Sequence, residues 1–288
     1  MSTGYRIVKK EVYSPVTYMW EVEAPDVARA AQPGHFLMVR INEEGERIPL
    51  TVADFDRRRG TVTVVIQAVG KSTREMMALA EGDSILDFIG PLGEASHIQQ
   101  RSKVVLVGGG LGVAPVYPQL RAYKELGSTT LSIIGFRTKA LVFWEGKFAG
   151  QSDELHIATD DGSYGHKGFV SQVLQQILEA HRDADEVVAI GPLPMMKACS
   201  DVSRPFGVRT MVSLNSIMVD GTGMCGSCRV TVGGKLKFAC VDGPDFDGHQ
   251  VDFDELMRRQ RRFQREEQES LQRYEEECRL LGRTASGT

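Results

Sequence analysis

The sequence predicts a β barrel plus α/β protein in four parts: an antiparallel barrel over residues 1–100, a parallel-sheet α/β domain over 101–210, a small cysteine-bearing module over 211–250 and a helical tail over 251–288. Three observations lead there. Short β-rich runs cut by Pro and Gly turns fill the stretch from Tyr5 to Asp87, the texture of a small antiparallel barrel. From Lys103 to Arg209 apolar runs alternate with helix-like segments, as βα units around a parallel sheet do. Three of the five cysteines then fall between Cys225 and Cys240.

The bulk properties narrow the function classes. A length of 288 residues corresponds to about two domains of ~150 residues, and 42% hydrophobic residues can fill real cores, which excludes a disulfide-stapled miniprotein. With 34 basic and 38 acidic residues the net charge is −4, so no nucleic-acid partner is announced. The opening MSTGYRIVKKEVYS lacks the basic start and apolar core of a signal peptide, and no run approaches the ~18 apolar residues of a membrane span. A cytoplasmic protein without a membrane partner is expected.

Along the first part, YRIVKKEVY, TYMWEVEA, HFLMVRI, TVTVVIQAV and DSILDFIG read as strands, with a turn at Gln32, Pro33 and Gly34. Arg47, Ile48, Pro49, Leu50 and Thr51 fall on a strand. Gly70, Lys71, Ser72 and Thr73 follow a long strand and open a helix, where small residues, hydroxyls and a helix N-terminus can meet an anion. An ordinary N-cap by Ser72 or Thr73 explains the same residues.

In the second part KVVLVGG, TLSIIGF, ELHIATD and EVVAIGP read as parallel strands. The first leads into Gly108, Gly109, Gly110, Leu111, Gly112, Val113, Ala114 and Pro115, a strand, glycine turn and helix start that aims backbone N–H groups at a pyrophosphate. It departs from the dinucleotide fingerprint: Val113 stands where the last Gly belongs, and no acidic residue ends the second strand. Arg137, after Ile134, Gly135 and Phe136, and the run Gly191, Pro192, Leu193, Pro194, Met195 and Met196 lie at C-terminal ends of predicted strands, where open α/β sheets bind ligands. A solvated Arg137 and helix-core methionines are the alternatives.

The third part has the spacing Asp220-x4-Cys225-x2-Cys228-x11-Cys240. With Cys in place of Asp, its first three positions would follow the plant-type [2Fe-2S] run. A glycine-rich loop suits that chemistry, because the backbone can close around a cluster and point N–H groups at its sulfurs. Asp220 would supply an anionic oxygen in place of a thiolate; Asp242, Asp245 and Asp247 lie close enough in sequence to compete. Structural zinc on three Cys and a carboxylate is the competing reading. Cys199 and Cys278 sit in helical contexts as packing residues. The tail from Phe253 to Leu281 reads as one long charged helix with Leu271, Tyr274, Cys278 and Leu281 on one stripe, expected to dock either on a partner or on the chain's own domains.

The order of barrel, GLGVAP turn, GFR, GPLPMM and cysteine module resembles the ferredoxin–NADP reductase-like flavoproteins that carry a C-terminal [2Fe-2S] module, over nearly the whole chain to Asp252. Within them it is similar to dihydroorotate dehydrogenase electron-transfer subunits, which normally have four cysteine ligands. Asp220 looks instead like the small subunits of NADH-dependent reduced ferredoxin:NADP+ oxidoreductases, also known as sulfide dehydrogenase subunits. The resemblance implies FAD against Arg47, Pro49, Leu50, Thr51 and Gly70 to Thr73. It implies a nicotinamide cofactor, NAD(H), over Gly109, Gly110, Gly112, Ala114, Pro115, Arg137, Gly191, Pro192 and Met195. It also implies a cluster on Asp220, Cys225, Cys228 and Cys240. Ile48 separates Arg47 from Pro49, whereas the wider family has Arg directly before its Pro or aromatic residue.

The function so implied is an electron-transfer flavoprotein subunit. Electrons would pass between NAD(H), FAD and the cluster to a larger flavin and iron–sulfur partner, and indirectly to ferredoxin, in bifurcating transhydrogenation. No general acid or base is required. Service to a dihydroorotate dehydrogenase, or a zinc-stabilised nucleotide-binding adaptor without redox activity, are the alternatives.

Overall fold

A computed structural model describes residues 4–281. The first part forms two antiparallel sheets. The larger contains β1 (Tyr5–Ser14), β2 (Thr17–Glu23), β5 (Asp54–Asp56), β6 (Thr61–Gln67) and β7 (Ser84–Ile85), in the order β5-β6-β2-β1-β7. The smaller contains β3 (Phe36–Arg40), β4 (Ile48–Thr51) and β8 (Asp87–Leu92), in the order β4-β3-β8. The expected single barrel is thus split into five and three strands enclosing one core around Tyr18, Trp20, Leu37, Ile66 and Phe88. Helices α1 (Pro25–Ala30) and α2 (Lys71–Ala78) join the strands.

Alternation along β3 makes it a wall between two cores. Leu37 and Val39 face the interior of the antiparallel part, whereas Phe36 and Met38 pack with residues of the second part and the cysteine module. The period-two geometry of a strand forces this division once both faces are covered.

The second part is a seven-stranded sheet made of β9 (Lys103–Gly109), β10 (Thr129–Phe136), β11 (Glu154–Thr159), β12 (His166–Lys167), β13 (Glu186–Ile190), β14 (Arg209–Ser213) and β17 (Asp245–Asp247). Its order is β12-β11-β10-β9-β13-β14-β17, parallel except for the last strand. Near-continuous apolar runs such as Val104 to Val107 suit strands covered on both faces. Helix α3 (Val113–Glu125) covers one face, and α5 (Val170–Ala180) and α6 (Leu193–Ser203) cover the other; α4 (Glu145–Ala149) lies between β10 and β11 in sequence.

The cysteine module contributes a hairpin of β15 (Arg229–Val232) and β16 (Lys235–Phe238), the short helix α7 (Ala239–Asp242), and β17 itself. Phe246 on β17 enters the core of the α/β sheet. The tail is not one helix. Helix α8 (Phe253–Gln260) ends in a 3-10 turn at Arg261–Phe263, and α9 (Gln264–Leu280) follows. The break has a packing reason. Phe253 and Leu256 are buried against the α/β core, worth about 1.5–3 kcal/mol each when fully covered. Further on, α9 lies on α2: Arg74 Nη1 donates to Glu275 Oε1 at 2.6 Å and Cys278 is buried. Of the predicted stripe, Leu271, Tyr274 and Cys278 are wholly or partly covered, whereas Leu281 is exposed. No helix among the described residues is long and apolar enough to cross a membrane.

Two features of this packing are testable. At Gly112 a Cβ would lie 2.1 Å from the Ile190 carbonyl oxygen, while at Gly109 it would meet the movable Met195 Sδ at 2.1 Å. Gly112→Ala therefore destabilises by roughly 3 kcal/mol, near the top of the overpacking range. Gly109→Ala costs about 1 kcal/mol, because only a flexible side chain must shift. Urea unfolding midpoints check the order, and equal losses would contradict it.

The second feature is Asp245. It accepts hydrogen bonds from Ser96 Oγ at 2.5 Å and Gln119 Nε2 at 3.3 Å, and its Oδ1 is buried with no partner. Burial holds its carboxyl above the ordinary range, partly offset by Ser96, Ser213 and Gln119. Between the unfolded and folded pKa values the folded state binds more protons than the unfolded one, so this residue's contribution to stability falls as pH rises. Asp245→Asn abolishes that fall. Its melting temperature relative to wild type should therefore increase from pH 5 to pH 8, and a pH-independent difference would contradict this account.

Candidate functional site

Three loci come together around β3, β9 and the cysteine loop. The first is the crevice at the carboxyl ends of β9 and β13, where strand order reverses about β9. Such a switch point is where open α/β sheets receive ligands. Gly109 and Gly191 both crowd onto Met195 Sδ, and Gly110, at φ +54°, faces open space. A Cβ on Gly108 would meet Val113 Cα at 2.7 Å. Gly108 thus supplies from the strand the closeness that the fingerprint's last glycine normally supplies from the helix, which accounts for Val113. Ala114 is buried, Pro115 half-buried, and Pro192 exposed at the start of α6. Arg137 is exposed at the end of β10. The two methionines divide: Met196 is core, whereas Met195 lines the crevice beside Gly109 and Gly191.

The second locus is β4 with the start of α2. Pro49 pairs with Met38 and Leu50 with Leu37 across the small sheet. Leu50 turns inward, Thr51 and Pro49 are half-buried, and Arg47 is exposed just before the strand. At the helix start, Thr73 Oγ1 accepts from the N–H groups of Val69 and Gly70, each at 3.1 Å. The N-cap is Gly70 and not Ser72 or Thr73 as expected; Thr73, at the third helical position, closes the turn by bonding back to it, while Lys71 remains exposed and Ser72 donates to Glu46. The first N–H groups of α2 still lack intrahelical acceptors, and a Cβ at Gly70 would meet nothing within 4 Å. The turn is thus closed by Thr73 and open in space at Gly70.

The third locus is the cysteine loop. Cys228 and Cys240, both buried, bring their sulfurs to 3.1 Å. Cys225 is exposed, and its sulfur accepts from Ser227 N–H at 3.5 Å. Ser227, through its hydroxyl and then its N–H, holds the Cys225 thiol below its usual range, whereas burial and the neighbouring Cys228 push Cys240 up to about 12. Asp220 accepts from Thr222 N–H and Cys225 N–H, both at 2.9 Å. Those bonds, Thr222 first, hold its carboxyl below the usual range.

Asp220 therefore caps the glycine turn. Capping does not exhaust the carboxylate, whose oxygens offer about four lone-pair sites. Gly221, Gly223 and Gly226 all have positive φ, and a Cβ at Gly221 would press on Met38 and Leu92 at 3.0 and 3.1 Å. It is the positive φ at these three positions that favours glycine in the loop.

By residue type the donors suit an iron–sulfur cluster, soft sulfurs with a carboxylate and N–H bonds to sulfur, although only Cys228 and Cys240 are in contact and no three Cys, His, Asp or Glu side chains among the described residues converge as a metal site. Asp242 is engaged with Lys237 and Phe238 N–H, and Asp247 with His249 N–H and Gln250, so both have other partners. Cys199 is fully buried and its thiol pushed up to about 12 by that burial, as for a packing residue.

Residues 215–252 match the family model described as the iron–sulfur cluster binding domain of dihydroorotate dehydrogenase B. A dihydroorotate dehydrogenase B (NAD+) electron transfer subunit homolog of Thermotoga maritima is 46% identical over 268 residues, covering 93% of this chain and 94% of its own. The corresponding electron transfer subunit of Shouchella clausii is 36% identical over 250 residues, covering 83% and 94%. A chain in the solved structure of an NADH-dependent reduced ferredoxin-NADP oxidoreductase, described for its flavin-based electron bifurcation, is 45% identical with a TM-score of 0.90. It covers 95% of this chain and 99% of that one. With a matching fold, a donor set suited to iron and sulfur, and relatives aligned over most of both chains, this protein belongs to the dihydroorotate dehydrogenase B electron-transfer subunit family.

Proposed function

We propose that this chain holds one FAD and one [2Fe-2S] cluster and passes electrons between NAD(H), the flavin and the cluster to a larger flavin and iron–sulfur partner subunit. The observation that carries this reading is the shared wall at β3. Met38 is the cross-strand partner of Pro49 and is also the residue on which Gly221 rests. The strand assigned to flavin and the loop assigned to the cluster thus touch one side chain.

Arg47, Pro49, Leu50 and Thr51, with Gly70, Lys71, Ser72 and Thr73, would hold FAD, its pyrophosphate favoured by the free N–H groups of α2. Gly109, Gly110, Gly112, Ala114, Pro115, Arg137, Gly191, Pro192 and Met195 would hold the nicotinamide nucleotide. Asp220, Cys225, Cys228 and Cys240 would ligate the cluster, their charge and the N–H bonds to sulfur setting its potential. A flavin supplies the exchange between two-electron and one-electron chemistry. The protein's own work is to position and to exclude: Met195 and Gly191 narrow the nucleotide crevice, and the Gly221 to Gly226 turns close the backbone around the sulfurs.

NAD(H) is favoured over NADP(H). Lys139, a candidate to meet a 2′-phosphate, lies 5.1 Å over the Tyr164 ring, and no pair of arginines follows Arg137. By its likeness to the bifurcating oxidoreductase, the larger partner would link NADH, NADPH and ferredoxin. A dihydroorotate-oxidising partner is the second reading, favoured by the names of the relatives, and the identity of the co-purifying large subunit separates the two.

The expected composition is one flavin, two irons and two acid-labile sulfides per chain, with NADH reducing the flavin faster than NADPH in stopped flow. Stoichiometric zinc without labile sulfide would overturn the cluster assignment. Faster reduction by NADPH would overturn the nucleotide assignment.

A further inference from the structure

The loop that carries Cys225 has a second, outer side. There Ser216, Arg229, Arg259 and Arg262 line a cavity of about 100 Å³, with Cys225 and Phe263 also in its wall. Of the four residues assigned to the cluster only Cys225 lines it; Asp220, Cys228 and Cys240 do not, so the cavity borders the cluster cradle from the side of Cys225. A single water needs about 10–15 Å³ measured in this way; the space accommodates several waters or one small oxyanion.

Charge and hydrogen bonding define what it would take. Three guanidinium groups converge and no carboxylate is in the wall. Arg229 donates to the Gly226 carbonyl at 3.2 Å and Arg259 to the Ser227 carbonyl at 3.1 Å, contacts that position the cations without neutralising them. Burial, and after it the charges of Arg229 and Arg262, make Arg259 costlier to keep protonated. Independently, Ser216 is only 6% exposed, and its Oγ has no hydrogen-bond partner among the described residues. A buried hydroxyl without a partner is a standing free-energy cost that a bound acceptor would remove. The wall is also fixed in place, since Gln260 Nε2 donates to the Asn215 carbonyl at 2.7 Å and ties the tail to the segment carrying Ser216.

We propose that this cavity binds a small oxyanion, a phosphate- or carboxylate-type group held by the guanidinium groups of Arg229, Arg259 and Arg262 and by the Ser216 hydroxyl. Planar guanidinium forks match such anions in geometry and charge.

The test titrates the full-length holoprotein with inorganic phosphate by calorimetry, at constant ionic strength, against chloride. Because glycine turns elsewhere also attract phosphate, wild type is compared with the double variant Arg229→Gln/Arg262→Gln, whose side chains are exposed, and with Arg137→Gln as a control at the nucleotide crevice. Saturable binding is expected in wild type and Arg137→Gln. It should weaken roughly tenfold or more in the double variant, as loss of charge-assisted bonds implies, and by a few-fold in Ser216→Ala. Absence of saturable binding in wild type, or unchanged affinity in the double variant, would overturn the proposal. If circular dichroism shows the double variant misfolded, Arg262→Gln and Ser216→Ala decide by the same criterion. Repeating the titration with glutamate, and with the chain bound to its partner, separates the sources. Phosphate binding lost in the complex, with glutamate binding the free chain, places the site under the partner; binding retained identifies a free anion. Both support the site.

Discussion

A cluster-bearing segment of about forty residues is too short to close a core of its own, and the rest of the architecture follows from how that deficit is met. Residues 215–252 place Cys228, Val230, Ala239, Cys240 and Phe246 in a core that they share with Phe36 and Met38 of β3 and Val105 and Val107 of β9. The short strand β17 pairs with β14 and so becomes the outer strand of the α/β sheet. The module is thereby held by both larger parts at once.

That shared burial also orders the proposed electron route. β3 alternates between two cores, and its neighbour β4 carries the residues assigned to FAD, so the flavin strand and the cluster loop meet across one strand. Glycine is favoured at the contact because Gly221 has φ +76° and a Cβ there would lie 3.0 Å from Met38 and 3.1 Å from Leu92. The tail reinforces the arrangement from outside. Arg259 of α8 holds the Ser227 carbonyl in the cysteine loop, and Glu275 of α9 holds Arg74 on the helix whose start is assigned to flavin. One continuous segment therefore touches both the cysteine loop and the helix whose start is assigned to flavin.

Much of this was legible in the chain. The change from closely spaced strands to βα alternation marks the two sheets because each texture follows from how many faces a strand buries. The cysteine spacing and glycine turns mark the loci because such backbone positions have few substitutes. Other features depend on contacts that periodicity does not encode. Three residues at Asp245–Asp247 are too few to announce a strand and exist as one only because β14 offers an edge. The tail's charge pattern gave no sign of the 3-10 turn at Arg261–Phe263, which arises because α8 and α9 pack on different surfaces. The exchange of roles between Gly108 and Val113 and the orphan hydroxyl of Ser216 were likewise visible only in three dimensions.

The central claim is that Asp220, with three cysteines, completes an iron–sulfur site while its carboxylate also accepts from Thr222 and Cys225. It is tested most directly by electron paramagnetic resonance and redox titration of the reduced holoprotein carrying Asp220→Cys or Asp220→Ala. A carboxylate and a thiolate carry equal charge, so Asp220→Cys should retain the cluster with an altered spectrum and midpoint potential. That shift should be far smaller than the several-hundred-millivolt effect of neutral histidine ligands, which raise potentials from about −400 mV to as high as about +300 mV. Asp220→Ala should weaken or lose the cluster. If Asp220→Ala leaves iron content, spectrum and potential all unchanged, Asp220 only caps the turn and the account of the site is wrong.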